Sequence, residues 1–355
     1  MPRYLCPTIP SPSLEGNPLD SPNERELHIY LPPGYHEQTG RRYPVLYFLH
    51  GYGSGPPTVP PRRRLQEAVP RPLRPLATGV SRCVVTLETL DALIGSGSLA
   101  PFILVQPDGS LHRAHRYGAR GLDRRVSQKG SFFTDSPRTG RYAEFVFGDV
   151  VRHVDRTWRT LACREGRALL GASMGGYGAL LGGILRPGSF AAVAAMSPVI
   201  GCLDLLHLKL VRPYYRLLLG WAGAVARGAR DLDDILETCD WIFGSDRETW
   251  ARADLGDLAV RTPGSLRGVR VLVSCAEADE FGLAVPCRRF AGVLAASGLD
   301  CELDIYRLRG LGRLSPHALG IAGHILPGIR FCLHHLQAAI AGEPPPAGPP
   351  PGSGE

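Results

Sequence analysis

The residues best suited to chemistry lie in RALLGASMGGYGALL, where Gly171-Ala172-Ser173-Met174-Gly175 forms a GxSxG pattern. Alone the pattern is weak, and its setting gives it meaning. An apolar run stops at Ala172 and a small-residue helical run begins at Met174. That is the strand-to-helix turn on which a nucleophilic serine can be held. Glycine two residues to either side removes side chains that so sharp a turn would crush. The hydroxyl then sits at a helix N-terminus, where the dipole and free N–H groups favour developing negative charge. A serine used in this way needs a base, an acid that orients the base, and donors for an oxyanion.

The acid is expected just past the carboxyl end of a parallel strand. VRVLVSCAEADEFG ends in Glu277, Asp279 and Glu280. Asp279 is the first choice, because it lies past the apolar stretch in a loop that closes at Gly282; Glu277 is the alternative. For the base, the order serine, acid, histidine along the chain points beyond residue 280. His28, His36, His112, His115, His153 and His207 precede or lie away from the expected loop, and His334 and His335 fall within the last helix. His317 and His324 remain. His317 is preferred: it follows the strand CELDIYRL within a loop loosened by Gly310 and Gly312. His324 lies just before Leu326-Pro327, where the last helix is expected to begin with proline in its first turn. The oxyanion donors are expected to be the backbone N–H of Tyr52, in the turn after YPVLYFLHG, and that of Met174, the residue after the serine.

These residues need a frame to hold them. Apolar runs at 26–32, 43–51, 102–109, 167–173, 191–198, 269–279 and 301–308 read as strands. Helical spacing marks 87–97, 142–159, 174–186, 287–298 and about 326–340. Residues 56–75 are rich in Pro and Arg and read as an irregular loop. The segment 201–265 reads as a helical, lid-like insertion near the active site, and with the loop 53–100 it is expected to shape the acyl and leaving-group pockets. Strand and helix alternate with no internal boundary, so one α/β domain over 1–335 is expected, with a mostly parallel sheet covered by helices on both faces. The Pro/Gly-rich tail 336–355 is expected to be disordered.

Composition narrows the function classes. The 355 residues carry 40 Lys+Arg against 33 Asp+Glu, a net charge of +7, and are 44% apolar. The positive charge is almost wholly arginine spread along the chain, and no nucleic-acid-binding motif accompanies it, so no nucleic-acid partner is expected. No apolar run approaches the ~20 residues of a spanning helix, so no stable membrane insertion is expected. The basic stretch 205–222 is read as cover for the sheet edge. The nine cysteines are scattered singly without CxxC, and no signal peptide is apparent. Both features point to a reducing, cytoplasmic setting. There is no HExxH, no GxGxxG after a strand and no paired-Cys spacing, so neither a metal nor an organic cofactor is expected.

Six segments, PPGYHEQTGRRYPVLYFLHGYGSG, FILVQPDGS, KGSFF, GRALLGASMGGYGAL, FAAVAAMSP and CAEADEFGL, together resemble the putative-esterase family related to esterase D. That family includes S-formylglutathione hydrolases, feruloyl esterases, enterochelin esterase-like proteins and mycolyltransferases. The resemblance covers about residues 12–335, with the segments in the family's order. It implies an α/β-hydrolase fold and a serine–acid–histidine triad on Ser173, Asp279 and His317, with oxyanion donors at Tyr52 and Met174. Two departures stand out: LRGLGRLSPHALG replaces the family's usual glycine-rich GGH or DGH turn, and the Pro/Arg-rich segment after GYGSG is long. The expectation is a serine hydrolase that cleaves a small-molecule carboxylic ester or thioester through an acyl-serine. Alternatives are an acyltransferase using the same intermediate and a non-catalytic binding protein on the hydrolase scaffold.

Overall fold

A computed structural model describes residues 2–53, 55–64, 85–111, 129–201, 235–244, 247–262, 264–310 and 315–341. Nine strands form the main sheet: β1 (Tyr4–Leu5), β2 (Thr8–Pro10), β3 (Glu24–Tyr30), β4 (Val45–Leu49), β5 (Ile103–Pro107), β6 (Arg167–Ala172), β7 (Ala192–Met196), β8 (Arg270–Ala276) and β9 (Cys301–Tyr306). Their order is β1-β3-β5-β4-β6-β7-β8-β9, with β2 also paired to β3. From β5 to β9 every pairing is parallel, whereas β3 runs antiparallel to β5, β1 and β2.

The central parallel strands β4, β5, β6 and β7 are buried on both faces, which explains their largely apolar sequences, whereas β9 at the edge is mostly exposed. Along β4, Val45, Tyr47 and Leu49 face one core and Leu46 and Phe48 the other. The first core is covered by the helical run Tyr142–Glu144, Phe145–Val150 and Val151–Thr157 (α2), by Met174–Leu185 (α3), by Arg247–Arg252 (α4) and Leu255–Arg261 (α5), and by Ala284–Ala296 (α6). The second is covered by Leu87–Gly95 (α1) and Pro316–Ala341 (α7). Residues 235–243 are also helical. Within α2, residues Phe145–Val150 widen to π-helical spacing, and there Asp149 accepts hydrogen bonds from Ser11 Oγ (2.8 Å) and the Ser13 N–H (3.0 Å).

Strand register aligns the ends that matter. Leu49 pairs with Gly171, Gly171 with Ala195, Ala195 with Val273 and Val273 with Leu303. These five residues form one row across the sheet, and the loops beyond it emerge on the same carboxyl edge.

The last helix departs from expectation. It begins at Pro316, ten residues before Leu326, and Pro327 lies inside it. The rule that places proline in a first helical turn holds, but for the other proline: Ser315 precedes Pro316 and its carbonyl accepts the Leu319 N–H at 3.0 Å. The buried positions Ile325, Ile329, Cys332, Leu333 and Leu336 repeat at helical spacing on the sheet. Each fully buried aliphatic side chain contributes about 1.5–3 kcal/mol, enough together to outweigh the roughly 3 kcal/mol of an internal proline. The helix runs on to Ala341, so residues 336–341 belong to it. Residues 202–234 of the expected insertion and 342–355 of the tail lie outside the described residues.

Candidate active site

The turn after β6 carries Ser173 at φ 55°, ψ −116°. L-residues reach that backbone state only at a cost of order 1–3 kcal/mol. Three contacts hold it. The Ser173 N–H donates to the Met196 carbonyl (2.8 Å), its carbonyl accepts the Tyr177 N–H (3.1 Å) and, more weakly, the Val199 N–H (3.4 Å). The flanking glycines are required by close approach: a Cβ at Gly171 would fall on the Gly175 carbonyl, and one at Gly175 on the Leu49 carbonyl. The elbow is therefore pressed against the end of β4, and α3 starts at Met174 with its axis running away from Ser173.

Tyr52 lies in the turn that follows β4. A Cβ at Gly130 would overlap Met174 Sδ and sit 3.4 Å from Tyr52 Cδ2, so the side chains of Tyr52 and Met174 meet over that glycine. Tyr52 packs on Phe132 with ring centroids 6.5 Å apart, and its hydroxyl hydrogen-bonds to Thr238 Oγ1 at 2.7 Å. His50 anchors the turn from within. It is buried, its Nδ1–H donates to the Gly51 carbonyl (2.8 Å), and its Nε2 accepts the Gly109 N–H (3.1 Å). This pattern requires the neutral imidazole with its proton on Nδ1. Behind it, buried Arg25 donates to the carbonyls of Asp108 (2.9 Å) and Ser110 (2.5 Å) and lies 3.4 Å from the Asp108 carboxylate. The KGSFF segment completes the wall: Phe133 stands 5.3 Å from the His50 ring, and Ser131 Oγ donates to the Gly109 carbonyl.

Past β8, the chain turns and buries the Asp279 side chain completely. Its Oδ1 accepts the Phe281 N–H (3.0 Å), and its Oδ2 accepts from His317 Nδ1 at 2.8 Å. The His317 ring packs edge-on to Phe281, centroids 4.9 Å apart. His317 is the second residue of α7, and the helix start is tied to the acid loop by Glu280. One Glu280 oxygen accepts the His317 N–H (2.7 Å) and the other accepts from Ser315 Oγ (3.0 Å). A carboxylate at a helix N-terminus caps free N–H groups and meets the positive end of the dipole.

The two alternatives go elsewhere. Glu277 is solvent-exposed and paired with Arg307 and Arg288; the Arg307 hydrogen bond holds its carboxyl below the ordinary value. His324 lies two turns further along α7. It stacks on Tyr306 at 3.6 Å, its Nδ1 donates to the Gly320 carbonyl (2.9 Å), and its Nε2 faces Asp304 at 3.3 Å. His50, Arg25, Phe133 and Glu280 escaped the sequence reading as site residues. His50-Gly51 and KGSFF were visible as motifs, but no spacing links Arg25 to Asp108 across 83 residues.

An antiparallel first half feeding a parallel sheet, with a strained serine turn at its centre, defines the α/β-hydrolase fold. The family model described as Putative esterase matches residues 21–298, and the chain belongs to that family. A curated relative, an endo-1,4-beta-xylanase/feruloyl esterase of Xylanibacter ruminicola, is 26% identical over 166 residues, 46% of this chain. The chain spans only 18% of that relative's length. Similar solved structures include a ferulic acid esterase (20% identity, TM-score 0.55, 94% of this chain and 98% of that one). Another is an S-formylglutathione hydrolase from Agrobacterium tumefaciens (16% identity, TM-score 0.57, 94% of each chain). A ferulic acid esterase from Anaeromyces mucronatus, solved with ferulic acid, is also similar (16% identity, TM-score 0.52, 94% and 91%). No described helix is long and apolar enough to cross a membrane.

Proposed function

We propose that this chain hydrolyses carboxylic esters or thioesters through an acyl-Ser173 intermediate, with His317 as base and Asp279 as its orienting acid. The observation that carries the reading is the 2.8 Å pair between His317 Nδ1 and a fully buried Asp279 carboxylate, on the same sheet edge as the strained Ser173. With Nδ1–H given to Asp279, Nε2 is the nitrogen left to take the serine proton. Ser173 Oγ attacks the carbonyl carbon, and the tetrahedral oxyanion accepts from the N–H groups of Tyr52 and Met174. Collapse breaks the bond to the alcohol or thiol, which leaves with the proton from His317. Water then enters, gives a proton to His317 and attacks the acyl carbon; His317 returns that proton to Ser173 Oγ as the acid leaves. Glu280 acts at one remove, fixing the first turn of α7 so that the imidazole meets Asp279.

The similar proteins named above are feruloyl or ferulic acid esterases and an S-formylglutathione hydrolase, so oxygen esters and thioesters both belong in a substrate panel. The test is labelling with a fluorophosphonate, followed by peptide mapping. One adduct on Ser173, absent from Ser173→Ala, is expected. An unlabelled wild-type protein that also turns over no ester would overturn the reading in favour of a binding role.

A further inference from the structure

Tyr52 is the residue whose N–H is to meet the oxyanion, so whatever holds its side chain also acts on that donor. Its own turn is loosely specified. Tyr52 stands between Gly51 and Gly53, and Gly53 and Gly55 lie at φ 68° and 58°, in the left-handed region that glycine enters freely. Such a sequence leaves many backbone states accessible. An oxyanion donor, by contrast, gains its effect by being fixed before the charge appears.

Two handles act on one peptide. The Gly51 carbonyl and the Tyr52 N–H belong to the same planar group, in which they point opposite ways. His50 Nδ1–H holds the carbonyl end at 2.8 Å. The Tyr52 side chain holds the other end: its ring rests on Phe132, and its hydroxyl hydrogen-bonds to Thr238 Oγ1 at 2.7 Å. Thr238 is buried in the helix over 235–243, 186 residues further along the chain. That helix is a firm support. Ser136 Oγ donates to the Ile242 carbonyl at 2.8 Å, and Phe243 packs edge-on against Phe132 (5.5 Å) and Tyr177 (5.9 Å). Tyr177 in turn gives its N–H to the Ser173 carbonyl. Phe132 itself lies at φ 54°, a strained state for an aromatic residue that persists only where the surroundings over-determine it.

We propose that Thr238 is a positioning residue for the oxyanion hole: it holds the Tyr52 hydroxyl and so fixes the Gly51–Tyr52 peptide with its N–H toward the carbonyl under attack. This role rests on the serine mechanism proposed above. It gives residues 235–243 a part in the chemical step, beyond the pocket shaping expected of the 201–265 insertion. Because Thr238 acts through Tyr52, its effect falls on kcat and leaves KM nearly unchanged.

The test compares Tyr52→Phe, Thr238→Val, the double variant and Thr238→Ser on one p-nitrophenyl ester, with a trifluoromethyl ketone as a second probe. Ser173 Oγ adds to the ketone carbonyl, the serine proton passes to His317, and the oxyanion formed stays in the hole. Deleting an oxyanion donor costs about 10²–10³-fold in kcat, so a donor kept but loosened should cost roughly 10-fold. Tyr52→Phe and Thr238→Val should each lower kcat by about that factor, keep KM within about two-fold and weaken the ketone in proportion. The double variant should be no slower than the slower single one, because both changes remove the same contact. Thr238→Ser keeps a hydroxyl and should restore both kcat and ketone affinity. Tyr52→Phe changes a half-buried position and carries the test even where Thr238→Val does not fold. Wild-type kcat and ketone affinity in Tyr52→Phe would overturn the proposal, as would a loss confined to KM or multiplied losses in the double variant. A wild-type chain that takes no fluorophosphonate on Ser173 and turns over no ester would overturn the serine mechanism itself, and this role with it.

Discussion

At Ser173 the backbone is held in a conformation that folding alone does not favour, with the Met196 carbonyl and the glycine contacts keeping it there. Replacing the hydroxyl leaves those constraints in place, so Ser173→Ala should lose ester hydrolysis by several orders of magnitude with Tm nearly unchanged. The neighbouring acids separate by environment. Asp279→Asn should lower kcat by roughly 10⁴-fold, because an amide favours the wrong imidazole tautomer and leaves the imidazolium unsupported. Glu277→Gln removes only surface pairing with Arg307 and Arg288, and kcat/KM should stay within about two-fold of wild type, as exposed pairs contribute little. A dead Glu277→Gln beside an active Asp279→Asn would move the acid two residues upstream. By the same contrast, His317→Ala should be inactive and His324→Ala active, since His324 is committed to Gly320, Tyr306 and Asp304.

Among the elements, α2 shows how a charge fastens the N-terminal segment. Burial alone would raise the Asp149 carboxyl, but hydrogen bonds from Ser13, Ser11 and Arg152 outweigh it and hold the group below its ordinary value. A carboxyl depressed by folding contributes stability above its unfolded pKa of about 3.9 and loses it as pH falls through the lower folded value. Asp149→Asn should therefore lower Tm at pH 7, and the gap to wild type should close below about pH 4. A gap that does not change with pH would show that Asp149 acts through packing alone. The elements themselves were legible: the buried parallel strands announce themselves as apolar runs, and each lies within three residues of its expected limits. The elbow was legible because glycine spacing and a strand-helix switch coincide at Ser173. Two things were hidden. The short edge strands β1 and β2 carry no apolar run, being defined by pairing with β3. The start of α7 was hidden because Pro327 looked like a first-turn proline, although Ser315-Pro316 and the spacing of Ile321, Ile325 and Ile329 both signal the earlier start. Glu280 was read only as a third acid, because its partners lie 35 and 37 residues away.

For the molecule as a whole, the proposed chemistry gathers on the carboxyl edge of the parallel strands. Dialysis against EDTA should leave kcat/KM intact, because no step of the proposed acyl transfer uses a metal. Loss of turnover restored by zinc would contradict a metal-free mechanism. Product analysis with an added alcohol distinguishes water from an alcohol as the acceptor, since both act on the same acyl-enzyme. The central claim is that intermediate. The most direct measurement mixes the protein with a p-nitrophenyl ester, quenches in acid within the first turnover and weighs the intact chain before peptide mapping. A burst of p-nitrophenol and a mass gain of one acyl group on Ser173 are expected, both absent from Ser173→Ala. Steady turnover with the acyl group on another residue, or an equal burst from Ser173→Ala, would contradict it.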